Sequence, residues 1–210
     1  NTARTEDGTH RGLWSRPLYA NAHAASALAT AEMRHQLSSA LGVRWRSGRT
    51  GGWEIDGITN PVIREFSRRR GEIDDALAEL EAEIGRGAHP REVEHIVLRT
   101  RPAKQHTPAD DLVASWRDRA ARHGLTPDAL AAITDRGHVE QTVDAETLFA
   151  SLAAPDGICT SGSVFSRSEA LTALANHPVP SEEGRSQPLL CGAERLLELT
   201  DQFLASRHVV

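Results

Sequence analysis

Apolar residues recur every three or four positions along most of this chain and alternate in period two in only a few short stretches. From Leu18 to Leu41 the series Leu18, Ala22, Ala25, Ala29, Met33, Leu37 and Leu41 predicts a helix with one apolar face, stopped at Gly42. A second stripe, Val62, Ile63, Phe66, Ile73, Leu77, Leu80 and Ile84, follows Asn60-Pro61, an N-cap and a proline whose missing amide hydrogen costs nothing at a helix start. An interruption near Ser67 and a stop at Gly85 and Gly87 are expected. A third helix starts at His89-Pro90 and runs through Val93, Ile96 and Val97. It must end before Pro102, because proline disfavours a helical residue in front of it. Asp110 to His123, with Leu112, Trp116 and Ala120 on one face, predicts a fourth helix closed by Gly124. Thr126-Pro127-Asp128 caps a short fifth that reaches about Arg136. Later, Ser166 precedes a helix over 168–176, a Pro-rich loop follows, and Gly192 to Ser206 forms the last helix.

The period-two stretches predict hairpins. Asp7-Gly8 sits between two short segments within residues 1–13 and favours the positive backbone angles of a tight turn. Val43-Arg44-Trp45-Arg46 and Trp53-Glu54-Ile55 alternate around a Ser-Gly-Arg-Thr-Gly-Gly loop. The fold class that follows is α+β, mostly helical with two short β-hairpins. Ala153-Ala154-Pro155-Asp156-Gly157 opens a run richer in Gly, Ser, Thr and Pro, which places a boundary near residue 160 and divides the chain into 1–160 and a small helical appendage, 161–210.

Composition supports helices: aromatic residues make up 4% of the 210 positions, and Ala, Leu, Arg and Glu dominate. The net charge of −5 conceals an asymmetry. Residues 1–125 carry 19 Lys/Arg against 17 Asp/Glu, and residues 126–210 carry 5 against 12. Only the first part could sit against a polyanion, and only through local basic patches. Cys159 and Cys191 stand 32 residues apart without a CxxC pair, so free thiols in a reducing cytoplasm are expected. No signal peptide or apolar run of spanning length occurs, which argues against a membrane. The chain starts at Asn1 and its first residues read as mid-domain, as in an excised piece.

Three segments carry a family resemblance. Gly52-Trp53-Glu54-Ile55-Asp56-Gly57-Ile58 leads into Phe66-Ser67-Arg68-Arg69-Arg70; Thr100-Arg101-Pro102-Ala103-Lys104-Gln105-His106 is followed by Trp116; and residues 1–13 precede Ser15-Arg16-Pro17-Leu18-Tyr19. In residue type, order and spacing these resemble conjugative relaxases of the relaxase–helicase type (TrwC/TraI-like, MobF class), in the C-terminal half of the HUH-type relaxase domain. Val164-Phe165-Ser166-Arg167 with Leu171 and Leu174 resembles, more loosely, the start of the helicase-related region. The resemblance implies binding of single-stranded DNA at a transfer origin, with the remainder of the relaxase–helicase chain, and transfer-machinery proteins, as further partners. In the complete relaxase it implies a tyrosine nucleophile and a divalent metal such as Mg or Mn held by histidines. Both are expected upstream of Asn1, so this piece should not nick DNA by itself and should hold no cofactor of its own.

The candidate DNA-binding residues are Arg99, Arg101 and Lys104 at a helix end, Arg68, Arg69 and Arg70 within one helical turn, and Trp53 on a strand. The resemblance marks Arg101 and Lys104. For Arg68 to Arg70 two readings stand: a solvated face paired with Glu65, Glu72 and Asp74, or a phosphate-contacting edge of a single-strand groove. Helix-end cations can equally serve the terminal carbonyls. Trp45 and Trp53 could stack bases or plug a small sheet, Trp116 reads as core, and Tyr19 as a core or interface aromatic. No histidine lies in an HxH pair or has a histidine at i+4. A rival reading, favoured by the acidic second part, is a helical connector or docking module between relaxase and helicase parts; a third is a degenerate gene product that keeps the fold.

Overall fold

The computed structural model describes residues 2–12, 15–48, 51–101, 108–134, 136–137, 141, 143–162, 164–181 and 184–209. Lys104, Gln105 and His106 therefore lie outside the described residues. The chain divides into two units, one of residues 1–56 with 135–210 and one of residues 57–134.

The first unit begins with a hairpin, β1 (Thr2–Arg4) and β2 (His10–Gly12), in register Thr2↔Gly12. Its turn is built as the Asp-Gly pair predicts. Gly8 takes φ 79°, and Asp7 Oδ1 accepts from the Thr9 amide at 3.0 Å, from the Thr9 hydroxyl at 2.7 Å and from the Thr5 hydroxyl. Those donors favour the ionised form and hold the Asp7 carboxyl down at about 2.

The predicted first helix is two: α1 (Arg16–Ala20) and α2 (Ala22–Leu41), separated at Asn21 and ended by Gly42 in the left-handed region at φ 64°. The face of α2 is also not the predicted one. Ala24, Ala27, Ala31, Arg34 and Ser38 are buried, while Leu18 is 61% and Met33 51% exposed. An alanine-rich helix has weak apolar contrast around its circumference, so the bulkier residues misplace the stripe. Small side chains face inward because α9 (Arg167–Asn176) approaches there, and Arg34 crosses to donate to the Ala175 carbonyl at 2.5 Å.

Three elements complete this core: α8 (Ala145–Leu152), α9, and α10 (Ala193–Leu204). Leu148, Phe149 and Leu152 of α8 meet Leu171 and Leu174 of α9 and Leu196, Leu199 and Phe203 of α10. The Phe203 ring lies 5.5 Å from that of Phe149 and 5.9 Å from that of Phe165. Glu32 of α2 accepts from the Ala193 amide at 2.6 Å, placing a carboxylate on the N-terminus of α10. The core thus draws side chains from both sides of residue 160. α8 escaped the sequence reading, although Asp144, which accepts from the Thr147 amide at 2.9 Å, is a regular N-cap signal.

Two more hairpins stand in this unit. β3 (Trp45–Ser47) pairs with β4 (Trp53–Ile55) in register Trp45↔Ile55, and β5 (Pro178–Pro180) pairs with β6 (Ser186–Pro188) in register Pro178↔Pro188. The second replaces the expected Pro-rich loop, so the described residues hold three hairpins where two were expected. Proline argues against a central strand, but in a two-stranded ribbon alternate residues turn their amide to the free edge, where no amide hydrogen is needed. β3 lies beside β6.

The second unit is helical: α3 (Asn60–Phe66), α4 (Arg68–Ile84), α5 (Pro90–Arg99), α6 (Ala109–Arg122) and α7 (Pro127–Thr134). The interruption at Ser67 is present, and the N-cap of α3 is Thr59, one residue before the predicted Asn60. At the start of α5, Glu92 accepts from the His89 amide at 2.7 Å and from both terminal nitrogens of Arg86 at 2.9 Å. The Arg86 guanidinium, with that amide, pulls the Glu92 carboxyl down to about 2.

Candidate nucleic-acid interface

The break at Ser67 puts Arg68, Arg69 and Arg70 in the first turn of α4, a turn without any acidic residue. Cations are ordinarily favoured at the opposite end of a helix, since the N-terminus already carries partial positive charge. Three guanidinium groups there concentrate positive potential on one exposed turn. α4 packs on α5, and Arg69 donates from Nη2 to the Val97 carbonyl at 3.0 Å, in the last turn of α5. The first turn of α4 and the end of α5 therefore meet, and the two cation groups predicted from sequence become neighbours in this unit.

Their members do different things. Arg69 answers a terminal carbonyl of α5, which ties the two helices together. Arg70 pairs with Asp74 at 3.0 Å along its own helix, as the solvated-face reading has it. Glu65 does not serve these arginines by contact. Its carboxylate accepts from Arg119 Nε at 2.8 Å and lies 3.5 Å from His123, so Arg119 above all holds it below the usual carboxylate range. Arg119 also donates to the Glu65 carbonyl at 2.7 Å and lies 4.8 Å above the Phe66 ring, fixing α6 on α3 next to the Ser67 step. Arg68, Arg99 and Arg101 are exposed and make no ion pair with a described residue. Lys104, the remaining member of the set, is outside the described residues.

The aromatic candidates separate. Trp53 is half-buried on β4, opposite Ser47, and belongs to the other unit. Trp45 is also half-buried, its indole donating to Ser38 Oγ of α2 at 2.8 Å, which makes it a plug between hairpin and helix. Trp116, expected in the core, is 48% exposed, and Tyr19 is 75% exposed. α6 is covered near its C-terminal end, where Arg119 reaches Glu65 and Phe66 of α3, and Trp116 lies one turn earlier, where the helix is exposed; α1 buries none of its residues. A signal for Arg119 was legible as a basic residue in the last turn of α6, but its partner 54 residues earlier was not.

Among the described residues no group of three or more His, Cys, Asp and Glu side chains could hold a metal ion, and no helix is long and apolar enough to cross a membrane. Cys159 and Cys191 are free thiols.

Residues 1–123 match the TrwC relaxase family. The chain belongs to the TrwC relaxases. The solved structure "Conjugative Relaxase TrwC in complex with mutant OriT Dna" is similar to it, with 25% identity and a TM-score of 0.46 over 60% of this chain. This chain spans 44% of that one. No curated protein matches. The family match stops at the end of α6, so α8, α9 and α10, which complete the core around α2, lie beyond the part of the sequence that identifies the chain as a relaxase.

Proposed function

We propose that this chain is the C-terminal part of a relaxase domain that binds single-stranded DNA, with residues 161–210 leading into a helicase-related region. The observation that carries the reading is the Arg69 bond to the Val97 carbonyl. It sets Arg68 beside the helix end that bears Arg99 and leads to Arg101, three exposed cations that make no ion pair with a described residue. Such a row suits the phosphates of an unpaired strand, which a basic track binds with strong salt dependence. In the complete protein the strand would be nicked at a transfer origin by a tyrosine with metal assistance. The described residues offer no ligand set for that metal, so no step of the chemistry is assigned to them.

The test is binding of a fluorescein-labelled single-stranded oligonucleotide across a salt series. For single strands each neutralised phosphate contributes about 0.7 to the log–log slope, so the Arg99→Ala/Arg101→Ala pair should lower the slope by about 1.4. Arg69→Ala should weaken binding through the α4–α5 junction and also lower thermal stability. Equal affinity and slope in the parent and the double variant would overturn the assignment.

A further inference from the structure

Residues 60–84 run as α3 and α4 with a break at Ser67, yet the local sequence does not stop a helix there. No proline lies between Val62 and Ile84, and Gly71, a turn beyond the break, weakens a helix without ending one. The start of α4 is also a poor one. Ser67 stands at the N-cap without a side-chain bond to the backbone, the first turn has no acidic residue, and three arginines add to the positive end of the helix. Something outside these residues has to hold the break. We propose that Arg119 of α6 holds it, as a positioning residue that stops α3 and α4 from merging and so presents Arg68, Arg69 and Arg70 as a separate turn. The inference rests on the DNA-binding reading and deepens it.

The backbone shows where the latch acts. A helix is continued by a bond from each amide to the carbonyl four residues back. Across Ser67 that bond would run from the Arg69 amide to the Glu65 carbonyl. Here the Glu65 carbonyl accepts from Arg119 Nη2 at 2.7 Å, so a guanidinium stands where the amide would come. The ladder resumes later: the Ser67 carbonyl accepts from the Arg70 amide at 2.9 Å and from the Gly71 amide at 3.3 Å. Ser67 itself, at φ −105° and ψ 29°, is off the helical angles.

Arg119 is locked into this position. Its Nε lies 2.8 Å from Glu65 Oε1, and each side chain of the pair is 21% exposed. His123 Nε2 lies 3.5 Å from the other carboxylate oxygen, and the guanidinium carbon sits 4.8 Å over the Phe66 ring. Arg119 therefore holds a carboxylate, a backbone carbonyl and a ring belonging to the two residues directly before the break. A planar fork reaches all three in one geometry, which a lysine ammonium does not. In a helix running through, Arg69 and Arg70 would stand three and four residues from both Phe66 and Ile73, along the apolar stripe. The break frees them from that phase: Arg69 answers the Val97 carbonyl and Arg68 stands exposed.

The experiment uses the full 210-residue chain with Arg119→Ala, Arg119→Lys, Gly71→Ala and Arg119→Ala/Gly71→Ala. A Cβ on residue 71 meets nothing within 4 Å, so Gly71→Ala adds helix propensity and keeps the Arg119→Ala chain folded. The first arm is NMR. In Arg119→Ala/Gly71→Ala the Arg69 amide should close on the Glu65 carbonyl, slowing its exchange by about ten-fold or more and moving the Ser67 Cα shift to a helical value, whereas Gly71→Ala alone should match the parent. A merely structural role predicts the opposite, faster exchange along α3. That result, or an unchanged Arg69 amide, overturns the latch.

The second arm measures labelled oligothymidylate across a salt series, adding Arg68→Ala and Arg68→Ala/Arg119→Ala. Arg119→Ala and Arg119→Lys should each bind about three- to ten-fold more weakly at low salt, with a slope smaller by about 0.7. The Arg68→Ala/Arg119→Ala chain should bind no more weakly than Arg119→Ala, because the two changes remove one contact. Additive losses, or an Arg119→Lys chain with the parent's affinity, would make Arg119 a direct phosphate ligand and overturn the positioning role. A parent chain that does not bind at all overturns the DNA-binding reading and the positioning role with it, while the Arg69 amide still decides the latch.

Discussion

Arg34 offers a sharp test of how this fold is held together. It is 3% exposed on the inner face of α2, and its Nη2 donates to the Ala175 carbonyl at the end of α9. No described acidic residue pairs with it there, and burial depresses its pKa without threatening the charge of so strong a base. Arg34→Ala removes a charge-assisted hydrogen bond, a loss of about 1.5–3 kcal/mol that includes the stranded carbonyl. It also removes the buried stem beyond Cβ, at about 0.8 kcal/mol for each methylene, or about 1.6 kcal/mol for the two. The sum is about 3–5 kcal/mol. Arg34→Met keeps most of the stem and relieves the buried charge, so it should cost no more than about 1–3 kcal/mol. Denaturant unfolding followed by the fluorescence of Trp45, which is tied to α2 through Ser38 one turn away, would read both variants. An Arg34→Ala chain as stable as the parent, or less damaged than Arg34→Met, would refute the claim that this arginine joins α2 to α9.

The Glu92 carboxyl should titrate near 2 by NMR. Because its folded pKa lies below the ordinary value of 4.5, its contribution to α5 is complete above about pH 4.5 and is lost as pH falls toward 2; a midpoint near 4.5 would contradict the Arg86 clamp. Burial pushes the Cys191 thiol up to about 11, so iodoacetamide at pH 8 should label exposed Cys159 in the native chain and Cys191 only after unfolding, as mass spectrometry would show. Ala31→Leu, overpacking the inner face of α2, should cost about 1–3 kcal/mol, whereas Ala25→Leu on its exposed face should be near neutral. A chain cut after His123 keeps the family match but loses α8 to α10, and it should fail to protect the amides of α2 in hydrogen exchange.

Local signals determined most of the elements. Asp7-Gly8 specifies its own turn, and Ser166 with Glu169 forms a capping box that needs no neighbour. Gly42 stops α2 for a reason contained in its own backbone. The motifs through Lys104 and Trp116 carried the family, because they depend on order and spacing along the chain. Partnership belonged to the tertiary structure. Which face of α2 is buried was settled by α9, more than 120 residues downstream, since alanines alone define no preferred direction. Pro178 and Pro188 read as loop until each had a single neighbouring strand. Arg69 reads in sequence either as part of a solvated face or as a phosphate ligand, and it ties α4 to α5 in the fold, because a guanidinium's role depends on the acceptor that packing brings to it. A cavity beside Trp45 comes from two hairpins more than 120 residues apart, and no local pattern encodes a space between them.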